Sequence, residues 1–180
     1  MFDQYRDACE IFARYWQAYG GFRALAASPY SHIALILTVS LYPLWITGQW
    51  VDMALSIIPS LLGFSLGAFA MLISVGDDLF RSALAGRRPN QTGHSPLMLV
   101  AAAFAHYLIF QTFALIAALL AKAHFHFPPH YLWPDAVKIF QATASGFGFW
   151  VFVYALILIV PAIMSVFRVV SWYDKAKSKS

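Results

Sequence analysis

Cysteine occurs once, at Cys9, so the chain holds no internal disulfide and no thiolate metal set. Charge is nearly as scarce. Only 11% of residues are Asp, Glu, Lys or Arg, where a soluble domain carries about 25%. Glycine-rich phosphate loops and HExxH are missing, and no nucleophile, carboxylate pair or metal set converges. An enzyme is therefore not expected, and no cofactor or metal is implied. The net charge of +4 is modest and scattered over loops, which makes it a topology signal rather than a nucleic-acid footprint. No heptad of charges, internal repeat or low-complexity tract occurs. No cleavable leader is expected, because charges and aromatics are interleaved through the first 30 residues.

What the chain has instead is apolar surface, 61% of its residues. The expected fold is an all-α integral membrane protein with four transmembrane helices and an amphipathic interfacial helix at the N-terminus. Residues 1–30 form that helix, 31–175 the membrane domain and 176–180 a basic tail. In the first segment Phe2, Tyr5, Cys9, Phe12, Tyr15, Trp16 and Tyr19 share one helical face, and Asp3, Arg6, Asp7, Glu10, Arg14 and Gln17 occupy the rest. Such a helix lies at a headgroup boundary or packs under the protein's own spans; the pattern fits both equally. Gly20-Gly21 ends it.

The chain is organised around the second span. Between Asp52 and Asp77 lie 24 residues without a charge, enough to cross a bilayer core of about 30 Å. Steps of four and three residues from Asp52 give Ser56, Ser60, Gly63, Gly67, Ala70, Ser74 and Asp77, all on one face. Everything strictly inside that stripe is small. Such a face lets another backbone come close, or lines something wet. Asp77 and Asp78, followed by Arg81, also fit a local charge pair at a helix end. Pro59 should bend this span.

The first span is expected over Tyr30–Thr47, with Trp45 and Trp50 at an interface and a tight hairpin into the second. The third, about Leu97–Ala121, is alanine-rich and carries His106, Tyr107, Gln111 and Thr112 near its middle. A histidine at that depth is a functional candidate, although His, Gln and Thr are also common interhelical hydrogen-bond glue, the reading preferred here. After it comes KAHFHFPPHYLWPD. His124, His126 and His130 invite a metal or pH-sensing reading, but an aromatic interfacial belt explains the stretch more simply. The fourth span, Ile139–Phe167, is 29 residues free of charge and must tilt, bend at Gly146, Gly148 or Pro161, or run on. Gln141 and Ser145, one turn apart, should meet a neighbouring span.

Ten of the twelve Lys and Arg fall at the N-terminus, in the loop between the second and third spans, or in the tail. Only Lys122 and Lys138 fall on the other side, so both termini are expected in the cytoplasm. A bacterial inner membrane is the expected location and the lipid bilayer the first partner. Three function classes are compared. One is a homo-oligomeric cation-conducting pore lined by the second span, with rings of Asp52 and Asp77. Another is a non-conducting subunit or sensor that binds a cytoplasmic protein through the N-terminal helix and the loop after Asp78. The third is a membrane enzyme, disfavoured for the reasons above.

The topology is directly testable. A reporter fused after Ser180 or inserted near Asn90 should be active only in the cytoplasm, and one near His130 only outside. A cytoplasmic signal at His130 would remove the four-span arrangement and every depth assigned above.

Overall fold

The computed structural model describes residues 2–74, 78–86, 94–126 and 134–178, and all regular structure among them is helical. The helices are α1 (Phe2–Tyr19), α2 (Gly21–Ala27), α3 (Pro29–Ser40), α4 (Tyr42–Ile46), α5 (Trp50–Ser74), α6 (Asp78–Ala85), α7 (Pro96–His126), α8 (Pro134–Ile157) and α9 (Ile159–Lys177). Among the described residues, three stretches are long and apolar enough to cross a membrane: Trp50–Ser74, Pro96–Ala123 and Ile139–Lys175. A fourth is reached only if α2 and α3, bent 57° apart, count as one broken span.

The expected first span is therefore not one helix. Helix stops at Ser40 and restarts at Tyr42, and Pro43 supplies the reason. Its ring has no N–H to give and clashes with the carbonyl four residues back, at Val39. The Trp45 indole N–H turns back to cap the Thr38 carbonyl at 2.8 Å. Gly48, with φ of 76°, then makes the turn into α5.

Prolines act differently in the other two long stretches. Pro59 lies inside α5, which continues through it unbroken. Pro161 acts upstream: the α8–α9 break falls at Leu158, next to the Ile157 carbonyl that Pro161 deprives of its partner. Neither Gly146 nor Gly148 interrupts α8. The expected 29-residue span is thus two helices, and α9 runs on to Lys177.

The chain divides into two compact units, one of Met1–Ser28, Gly67–Tyr107 and Ile159–Ser180, the other of Pro29–Leu66 and Leu108–Leu158. In the second unit, α3 and α4 pack on α8. Its centre is Trp50, only 1% exposed, ringed by Phe149 and Phe152 at 6.3 and 6.4 Å between ring centres. Trp50, expected at an interface, is buried among its own helices at the first residue of α5. Its indole N–H donates to the Ser145 hydroxyl at 2.9 Å, and that hydroxyl donates to the Trp45 carbonyl at 2.5 Å. A buried indole needs such a partner. Beneath the ring lies Gly148, where a Cβ would stand 2.8 Å from the Trp50 ring. Gly146 faces the Trp45 ring at an ordinary 3.5 Å.

In the first unit, α1 and α2 contact one another across Gly20 and Gly21, whose φ values of 106° and 67° suit glycine. Phe69 stacks on Phe104 at 5.7 Å, and Phe80 meets Tyr173 edge-on at 5.0 Å. The glycines then separate cleanly by experiment. Gly148→Ala should lower stability by about 1–3 kcal/mol through overpacking against Trp50. Gly63→Ala, with open space at the new Cβ, should leave the fold intact. Thermal unfolding in detergent measures both, and equal midpoints would contradict the close approach at Gly148.

Candidate functional site

The small-residue stripe of α5 lies on the outside of the described chain. Asp52, Ser56, Ser60, Gly63, Gly67, Ala70 and Ser74 are all exposed. A Cβ built at Gly63 or Gly67 meets no atom within 4 Å. The buried side of the same helix is carried by Trp50, Val51, Ala54, Ile58, Ser65 and Leu72. So, among the described residues, nothing approaches the backbone closely at Gly63 or Gly67. Asp77, its inner end, lies outside the described residues, as do Arg87, Arg88 and His130. The backbone of His124 and His126 belongs to α7.

Two features of the stripe bear on its chemistry. Ser56 and Ser74 donate their hydroxyls to their own helix, to the carbonyls of Met53 and Ala70 at 2.9 and 3.0 Å. Their oxygens then have only lone pairs to offer a visitor. Asp52 is joined to Lys122 of α7 at 3.1 Å, with both side chains largely in the open. That pair is worth little to stability, but it sets an opposite charge beside the carboxylate.

Two polar residues of α7, His106 and Gln111, find partners on other elements. His106, 1% exposed, lies with its Nδ1 2.7 Å from the Tyr15 hydroxyl of α1. The contact is satisfied in either tautomer: Tyr15 donates to a bare Nδ1, or accepts from a protonated one. Tyr19, one turn on, stacks on the imidazole at 3.6 Å between ring centres and 7° between planes. Burial, with the neighbouring Tyr19 as the lesser cause, pushes the Tyr15 hydroxyl's pKa up, so it remains a neutral phenol.

His106 is ten residues into α7, or about 15 Å along its axis. The C-terminal half of α1 therefore packs against α7 well inside the apolar run. Of the two sequence readings for this helix, packing under the chain's own spans describes that half. Residues 3–14 of α1 are exposed, including the apolar Tyr5, Ile11 and Phe12. Tyr15 and Tyr19 were legible as members of an apolar face; the hydroxyl aimed at a histidine 91 positions away was not.

Gln111, fully buried, donates from Nε2 to Ser65 of α5 at 3.2 Å, while Ser65 donates to the Leu61 carbonyl at 2.6 Å. Its carbonyl Oε1 is buried with no hydrogen-bond partner among the described residues. Ser145 meets α4 and α5 as described, whereas its neighbour Gln141 is half-exposed. Thr112 is exposed and bonds back to Leu108 of its own helix. Among the described residues no group of three His, Cys, Asp or Glu is arranged to hold a metal ion.

The chain matches no protein-family model, no curated protein and no solved structure.

The clasp on His106 has a measurable consequence. His106→Ala should remove both the Tyr15 hydrogen bond and the Tyr19 stack, so amide exchange over Tyr15–Tyr19 should rise about tenfold or more. Exchange in α8 should be unchanged. Tyr15→Phe, which keeps the stack, should show a smaller rise, and no rise in either variant would mean α1 is held elsewhere.

Proposed function

We propose that the protein is an integral membrane homo-oligomer whose subunits meet along the small-residue face of α5. The observation that supports this is the outward exposure of that face, with open space at Gly63 and Gly67. Glycine within a helix costs about 0.5–1 kcal/mol relative to alanine. In a monomer surrounded by lipid nothing offsets that cost. Between two copies it permits backbone approach and the dispersion contacts that hold helices together where no hydrophobic drive exists. The four-and-three spacing of the stripe is that of helices crossing at a shallow left-handed angle.

The membrane is that of a bacterial cell, with both termini in the cytoplasm. Ten of the twelve Lys and Arg belong to the unit that contains both termini, and Lys122 and Lys138 belong to the other. The positive-inside bias then turns the first unit's basic end inward.

A cation path along the same face is the second reading. The back-bonded Ser56 and Ser74 favour it, since a ring of subunits would turn their lone pairs toward the axis. The Lys122 ammonium beside Asp52 weakens the outer carboxylate ring and works against it. Without conduction, the uncovered half of α1 is the natural place for a cytoplasmic protein to bind.

Assembly is tested first. Size-exclusion chromatography with light scattering should give a multimer for the wild type. Gly63→Leu with Gly67→Leu should give a monomer that keeps its helical content by circular dichroism. A monomeric wild type in both detergent and nanodiscs would overturn the proposal. Conduction comes next, in planar bilayers under asymmetric salt. Cation-selective reversal that weakens in Asp52→Asn supports the pore, and silence from an intact oligomer leaves the non-conducting assembly.

A further inference from the structure

The C-terminal half of α9 carries an arrangement that assembly through α5 does not use. Its buried side is formed by Ala162 and Val169, 6% and 3% exposed. Tyr173 continues that side and rests edge-on against Phe80 of α6. Lys177 turns the same way, its ammonium 5.9 Å from the Tyr173 ring centre. These contacts fix the rotation of the helix, and they leave Met164, Arg168 and Lys175 on the opposite side.

That opposite side has two zones. Val160, Ile163, Met164 and Phe167 are exposed and wholly apolar. Next along the helix come Arg168 and Lys175, both exposed, with Trp172 half-buried between them. Arg168 and Lys175 are two turns apart, about 10 Å along the axis, within the combined reach of two long side chains. Neither is in an ion pair among the described residues. The Asp174 carboxylate of the same helix is about 100° around from Lys175.

We propose that this face binds an anionic phospholipid. The acyl chains lie along Val160, Ile163, Met164 and Phe167, and the phosphate is held by the Arg168 guanidinium and the Lys175 ammonium. Apolar groove and cationic end are continuous on one helix, which a free phosphate in water would not need. Guanidinium matches phosphate oxygens in a two-pronged geometry, and an indole beside it suits the headgroup level. Anionic lipid is favoured over zwitterionic because choline or ethanolamine would bring a third cation to a face that already has two. The inference rests on the chain residing in a bilayer but not on its oligomeric state.

The test is spin-label lipid association in phosphatidylcholine liposomes containing the full chain, with labelled phosphatidylglycerol or labelled phosphatidylcholine as the probe. Phosphatidylglycerol should associate about fivefold or more tightly with the wild type. Arg168→Gln with Lys175→Gln should bring the two lipids close to parity. Arg6→Gln with Arg14→Gln, which neutralises exposed α1, should leave the preference in place. Should the first double variant misfold, Lys175→Gln alone, at the exposed helix end, should lose a clear part of the preference. Equal association of the two lipids with the wild type would overturn the proposal. So would a preference that survives loss of Lys175 and Arg168, or one that falls as far in the α1 variant.

Discussion

One hydroxyl ties the second unit together. Ser145 accepts the indole N–H of Trp50 and gives its own proton to the carbonyl of Trp45, so three helices share a single buried oxygen. In a medium without water, each of those groups left unpaired would cost several kcal/mol, of the order of 2–7. The rest of the unit follows from placing that bond. Trp50 has to lie flat enough to reach Ser145, which demands bare backbone at Gly148. Trp45 has to turn back, which the proline break before it allows, and its indole then satisfies the carbonyl that the break exposed. Sequence, turn geometry and packing agree at this point because each removes a polar group from lipid.

The same requirement explains how far the sequence could be read. Helix existence and class are plain from long uncharged runs, and three of the expected spans lie within helical stretches long and apolar enough to cross. Where helices break was less plain. Pro43, Pro59 and Pro161 look alike in the sequence, yet one is followed through without interruption and two end a helix nearby. Beside Pro43 the Trp45 indole meets the Thr38 carbonyl, and where such partners fall is tertiary information. Glycine was only partly legible in a similar way. The Gly63–Gly67 pair has the familiar packing spacing and faces outward, whereas a tight approach to another helix's ring occurs at Gly148, marked in the sequence only by a neighbouring Gly146.

Tryptophan and tyrosine carried the largest hidden content. An aromatic near the end of an apolar run is ordinarily assigned to the membrane interface, and Trp50 satisfied that description while being buried. Tyr15 and Tyr19 were readable as an apolar stripe on a short amphipathic helix. Their pairing with His106 depends on α1 folding back against α7, which local periodicity does not encode. His106 and Gln111 stood out by position alone, and both bond to groups on another element.

Most hydroxyls in the long helices never leave their own backbone. Ser65, Ser74, Thr112, Thr143, Ser165 and Ser171 each donate to the carbonyl four residues earlier. Such a helix brings no unmet hydroxyl proton into lipid, so it can enter the bilayer before its neighbours have arrived. Gln111 and His106 differ, because each bonds to a residue synthesised well before it. For α7 this makes the order of synthesis favourable: Ser65 and Tyr15 have already emerged when Gln111 and His106 seek a partner. Ser145 likewise emerges last of its trio, after Trp45 and Trp50. Each of these cross-helix polar bonds is thus closed by the later residue, and the Trp50 indole N–H is the early donor that waits for its partner until Ser145 arrives.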